Sequence, residues 1–66
     1  MKKYLVLKVK VDQDRNVTSI LDVLFESYSY EKACQVGELY SYISHLKEDE
    51  CIAVGAEVLH REICLN

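Results

Sequence analysis

Val17-Thr18-Ser19-Ile20-Leu21-Asp22-Val23-Leu24-Phe25-Glu26-Ser27-Tyr28 decides the fold, because two periodicities in it describe two different proteins. Val17, Ile20, Leu21, Leu24, Phe25 and Tyr28 recur at helical spacing, with Thr18, Ser19, Asp22 and Glu26 opposite. The same stretch also pairs as a strand with the segment before it. Tyr4 to Val11 alternates strictly, with Leu5, Leu7, Val9 and Val11 on one face and Tyr4, Val6, Lys8 and Lys10 on the other. Asp12-Gln13-Asp14-Arg15-Asn16 then supplies turn residues. A hairpin closed by that loop pairs Val11 with Val17, Leu7 with Leu21 and Leu5 with Val23, and sets Lys2 opposite Glu26. Each apolar pair joins odd to odd, so the inward faces agree. The hairpin is the reading adopted, with a helix over 17–28 as the alternative.

Further along, Ser29 suits a helix N-cap and Glu31 suits the first turn beside the positive end of the dipole. The spacing predicts a helix over 30–47, with Ala33, Val36, Leu39, Tyr40, Ile43 and Leu46 as its apolar stripe. Gly37, in or beside that stripe, points to close approach of helix and sheet. Glu48-Asp49-Glu50 would oppose the negative helix end, which stops the helix near Lys47. Cys51 to Leu59 is rich in strand formers, with Gly55 as a candidate bulge, and the tail from His60 to Asn66 reads as strand or helical turn. The expected fold class is α+β: β-β-α-β, a three-stranded antiparallel sheet of order 2-1-3, with one helix on one face.

Composition narrows the function. The 66 residues make one domain, 1–66, with no visible linker, repeat or low-complexity tract. A chain this short sits near the lower limit of independent stability, where oligomerisation often helps. A net charge of −3 is wrong for a dedicated DNA-binding domain, so nucleic acid is an unfavoured partner. The apolar run after Met1-Lys2-Lys3 is short and carries Lys8 and Lys10, unlike a signal peptide or membrane span. Cys34, Cys51 and Cys64 are odd in number and lack paired spacing, which favours reduced thiols and a cytoplasmic location over a secreted disulfide framework.

No motif announces chemistry. Asp12, Asp14 and Asn16 begin like a calcium loop, but Val17 stands where that loop needs glycine and Val23 where it needs glutamate. They read as turn formers. His45, Cys51, His60 and Cys64 do not follow a zinc-finger spacing. A cysteine–histidine nucleophile lacks an orienting third group. Catalytic, cofactor and metal residues are therefore expected to be absent. Lys2, Lys8 and Lys10 beside Tyr4 could meet a single strand of nucleic acid, but Asp22 and Glu26 lie on the neighbouring strand.

Apolar surface is the more informative feature. If the helix covers the odd face, the other face exposes Tyr4, Val6, Ile20 and Leu24, a patch of the kind that marks an interface. Tyr28, Tyr30 and Tyr42, at the helix start or on its polar side, are a second candidate set. These seven residues are the expected partner-binding positions.

The opening Met1 to Tyr4, followed by a hairpin and a helix entered through Ser29, Glu31 and Ala33, resembles very small β-β-α-β proteins of phages and mobile elements, a group that includes some anti-CRISPR inhibitors. The resemblance spans about the first 45 residues and carries over no functional residue. It implies a stoichiometric inhibitor that occludes a surface on a host defence complex. The expected function is a non-enzymatic protein-binding module of that kind, with a homodimer as one form. The alternative is a small nucleic-acid-binding regulator of β-α-α-β layout, in which two consecutive helices act as a helix-turn-helix.

Overall fold

The segment 17–28 resolves as a strand. The computed structural model describes residues 2–57 and 63–65. It contains β1 (Lys3–Val11), β2 (Val17–Ser27), α1 (Tyr30–Ile43), β3 (Glu50–Glu57) and β4 (Ile63–Leu65). The sheet order is β2-β1-β3-β4 with every neighbouring pair antiparallel. The α+β class and the 2-1-3 order are as expected, and β4 adds a short strand beside β3. With Val17 to Ser27 extended, the β-α-α-β alternative and its helix-turn-helix fall away.

The ambiguity of 17–28 has a physical origin. Tyr4 to Val11 of β1 faces the eleven residues of β2, with register shifts at Val6/Leu7, Lys8/Val9 and Lys10/Val11. Leu24, Leu21 and Thr18 are the extra residues. Leu5, Leu7, Val9 and Val11 therefore meet Glu26, Val23, Ile20 and Val17. Three bulges in succession lengthen the repeat of one face from two residues to three. A three-residue repeat lies close to the helical period, so the helix-like stripe is a bulged strand. The Val11–Val17 pair is as expected; Leu7–Leu21 and Leu5–Val23 are not, because each bulge moves the partner on by one. Lys3, not Lys2, joins Glu26, at 3.1 Å.

The loop closes on its own side chain. Asp12 N–H donates to the Asn16 carbonyl and Arg15 N–H to the Asp12 carbonyl, at 3.0 and 3.1 Å. Asp12 Oδ1 accepts from Asp14 N–H and Asn16 N–H, both at 2.9 Å. Asp12 is thus a turn former, as its type predicts. Arg15 carries the left-handed conformation, φ 66°. A non-glycine residue there costs about 1–3 kcal/mol, against which glycine adds about 0.5–1 kcal/mol of unfolded-chain entropy. Arg15→Gly is expected to stabilise the protein by about 0.5–1 kcal/mol, seen as a higher denaturation midpoint. An unchanged or lower midpoint would mean that the loop stores no such strain.

Helix α1 starts where the cap signal places it. Ser29 is extended, and its Oγ accepts from Lys32 N–H at 3.2 Å. The helix ends at Ile43 rather than near Lys47, because Ser44 turns extended at φ −84°, ψ 138°. The chain then forms a turn in which Glu50 N–H donates to the Lys47 carbonyl and Lys47 N–H to Glu50 Oε1. Gly55 marks no bulge: β3 pairs with β1 without interruption from Lys3–Glu57 to Lys10–Glu50. Of the expected third strand, Val58 and Leu59 lie outside the described residues.

Both faces of β1 are buried. Leu5, Leu7, Val9 and Val11 form one cluster with Cys51 and Ala53 against them. Val6, on the other face, is 0% exposed. The helix lies on this even-numbered face. An added Cβ at Gly37 would stand 3.0 Å from Val54 Cγ2, 3.7 Å from Val6 Cγ1 and 3.9 Å from Ile52 Cγ2. The Tyr4 and Tyr30 rings meet edge to face at 5.1 Å. The expectation that Tyr4 and Val6 line an uncovered face is therefore corrected.

Candidate functional site

Helix α1 seats on the sheet through small residues. Ala33 and Gly37, one turn apart, are its two buried positions. That seat is narrow, and it turns the rest of the expected stripe outward. Leu39 and Ile43, expected in the core, are 57% and 61% exposed. Tyr42, beside Leu39 on the outer surface, is 81% exposed. Three large apolar or aromatic side chains thus stand within about one helical turn of each other.

The two flanks of the helix differ. Tyr30, Cys34, Glu38 and Ser41 line one side of a cleft of about 400 Å³, and Ile52, Ala53 and Val54 of β3 line the other. Successive residues turn by 100°. Leu39 and Ile43 therefore lie on the opposite flank, toward β2. Tyr42 occupies the crest between the cleft and that flank.

The expected site residues do not form one patch. Tyr4 is half-buried against Tyr30, and Val6 is sealed beneath the helix. Ile20 pairs with Val9 and so belongs to the opposite face of the sheet. Leu24 is a bulge residue and half-buried. Tyr28, Tyr30 and Tyr42 are exposed as expected. A separate exposed row runs along β2 through Val17, Ile20, Leu21 and Val23. The sequence signal for the helical group was the Ala33/Gly37 pair, since small residues one turn apart identify the side on which a helix can approach a sheet most closely.

Electrostatics separate the strand lysines from the helix carboxylates. Lys8 meets Glu50 at 3.6 Å, and Lys10 meets Asp49 at 3.5 Å. The lysines considered for nucleic acid are thus largely occupied by carboxylates, and Lys8 and Lys10 share the face that the helix covers. Glu26, hydrogen-bonded beside Lys3, raises that ammonium above its ordinary 10.5. The contribution is present at neutral pH and is lost only as pH rises through the raised value. Asp22, Glu31 and Glu38 have no ion pair among the described residues.

Cys34 lies in the cleft, and Cys51 opposes Val9 on the other face of the sheet; both are half-buried free thiols. His45 is exposed, and His60 lies outside the described residues. Among the described residues no group of three or more His, Cys, Asp or Glu side chains is placed to hold a metal. No described helix is long and apolar enough to cross a membrane. Comparison of the chain with protein-family models, curated proteins and solved structures finds no match.

Proposed function

We propose that this chain is a non-enzymatic protein-binding module, acting as a stoichiometric inhibitor that covers a partner surface in the manner of the small phage proteins its layout resembles. A host defence complex is the class of target that this resemblance implies. The observation that carries the reading is the outward group Leu39, Tyr42 and Ile43 on a short helix whose opposite side is already buried. Exposed apolar side chains grouped on one rigid element mark an interface more often than isolated ones do. Tyrosine in such a group is a frequent anchor of binding energy.

The test is photo-crosslinking in cells that contain the partner. A benzophenone side chain replaces Tyr42 in one protein and Gln13, in the hairpin loop, in another. The expected result is a discrete heavier adduct from position 42 that is absent from position 13 and is lost when Leu39→Ser is added. Identical adducts from both positions, or none from position 42, would refute the reading. An adduct of twice the chain's own mass would instead identify the homodimer.

A further inference from the structure

The geometry points to the cleft between α1 and β3 as a socket for one arginine side chain of the partner. This deepens the protein-binding reading and rests on it.

The floor of the cleft is apolar. Ile52 and Val54 supply it from β3, and Gly37 leaves it free of a helix side chain. At the Glu38 end the polar groups accept hydrogen bonds. The Glu38 carboxylate is exposed and without an ion pair among the described residues. An ionised carboxylate has no hydrogen to donate. Ser41 Oγ donates its single hydrogen to the Glu38 carbonyl at 2.7 Å. Its lone pairs remain, so it too presents an acceptor. Ser41 is three residues on from Glu38, so both project from the same side of the helix.

An apolar floor ending in acceptors asks for an apolar stem ending in donors. Arginine has that form: a methylene stem that lies along apolar surface and a planar head with five donors. Two of those donors match a carboxylate side by side, and others remain for a second acceptor such as Ser41 Oγ. A lysine ammonium lacks that planar fork. A second copy of this chain is a poorer occupant, since its helix surface brings the same unpaired Glu31 and Glu38 toward the site.

The probe is the tripeptide acetyl-Leu-Arg-Leu-amide, titrated into the full chain labelled with ¹⁵N. Its citrulline counterpart keeps the shape of the side chain and removes the charge. The expected result is saturable shifts at Glu38, Ser41 and Val54, with the arginine peptide binding about tenfold more tightly than the citrulline one. Glu38→Gln should erase that preference, while Ser41→Ala should reduce it. Equal binding of the two peptides, shifts centred away from the cleft, or a preference that survives Glu38→Gln would overturn the proposal. Glu38 is exposed, so its variant is expected to keep the parent spectrum elsewhere. Crosslinking at position 42 reports whether the helix meets a protein at all, and the tripeptides report only what the cleft accepts, so the two readings fail separately.

Discussion

Leu7→Ala is expected to unfold most of the protein at room temperature. Leu7 is 0% exposed on the central strand and belongs to the cluster with Leu5, Val9 and Val11. Its neighbours across the sheet are Val23 and Ala53. Neither can move in to fill the space without breaking a strand pair. Truncation of a buried leucine costs about 2–5 kcal/mol, the upper end applying where the site cannot collapse. A single core in a chain below about 70–80 residues rarely supplies more than about 3–5 kcal/mol in total. The cost is thus comparable with the whole stability. Far-ultraviolet circular dichroism and amide dispersion would report the loss directly. Leu39→Ala, at a position 57% exposed, serves as the control and should keep the folded spectrum. A Leu7→Ala protein melting within a degree or two of the parent would show that this cluster is not the core.

Gly37→Leu should be the most damaging change on the helix. The first added carbon already stands 3.0 Å from Val54 Cγ2, with Val6 Cγ1 and Ile52 Cγ2 close behind. Val6 is sealed and has nowhere to go. The remaining carbons can be placed only by lifting α1 from the sheet, at about 3 kcal/mol or more once lost burial is added to overpacking. Gly37→Ala isolates the first step. Alanine gains about 1 kcal/mol in helix propensity and loses a similar amount to the Val54 contact, so its midpoint should stay within about 1 kcal/mol of the parent. If leucine were tolerated as well as alanine, the close seating of the helix would not contribute to stability.

The distribution of bulk on β1 and β3 explains why β1 read alone points the helix to the wrong face. On β1 the odd residues Leu5, Leu7, Val9 and Val11 outnumber Tyr4 and Val6 as apolar surface, so the first strand alone directs the helix to the odd face. On β3 the bulk is reversed: Ile52 and Val54 lie in register with Lys8 and Val6, while Cys51, Ala53 and Gly55 oppose Val9, Leu7 and Leu5. The larger β3 side chains are therefore on the even face, where the helix packs. Once β3 is registered against β1, this is legible in the residues, although β1 read alone conceals it. The Asp12–Asn16 turn and the Ser29 cap were legible because each rests on local chemistry, and the fold class and the 2-1-3 order because few connections suit a hairpin, one helix and a third strand. The bulges were not, since a bulged strand and a helix present nearly the same apolar repeat. Of the residues that make up the proposed site, the sequence singled out Tyr42 on the crest and Tyr30 in the cleft, while Tyr28 is exposed but belongs to neither. Leu39 and Ile43 required knowledge of how far the Ala33/Gly37 seat rotates the helix, and Glu38 required knowledge of the cleft.

The three bulges also govern how copies of this chain behave in a crowd. β2 is the outermost strand on its side and carries exposed valine, isoleucine and leucine, a combination that invites edge-to-edge aggregation. An incoming strand offers its amides and carbonyls at an even two-residue beat. With an extra residue after about every second pair, β2 cannot keep that beat for more than a few residues before donors and acceptors fall out of step. The open edge is thus guarded by its geometry, with few charges and no proline in it. The apolar side chains of β2 remain available for recognition across the surface of the sheet, without serving as the seed of a fibril.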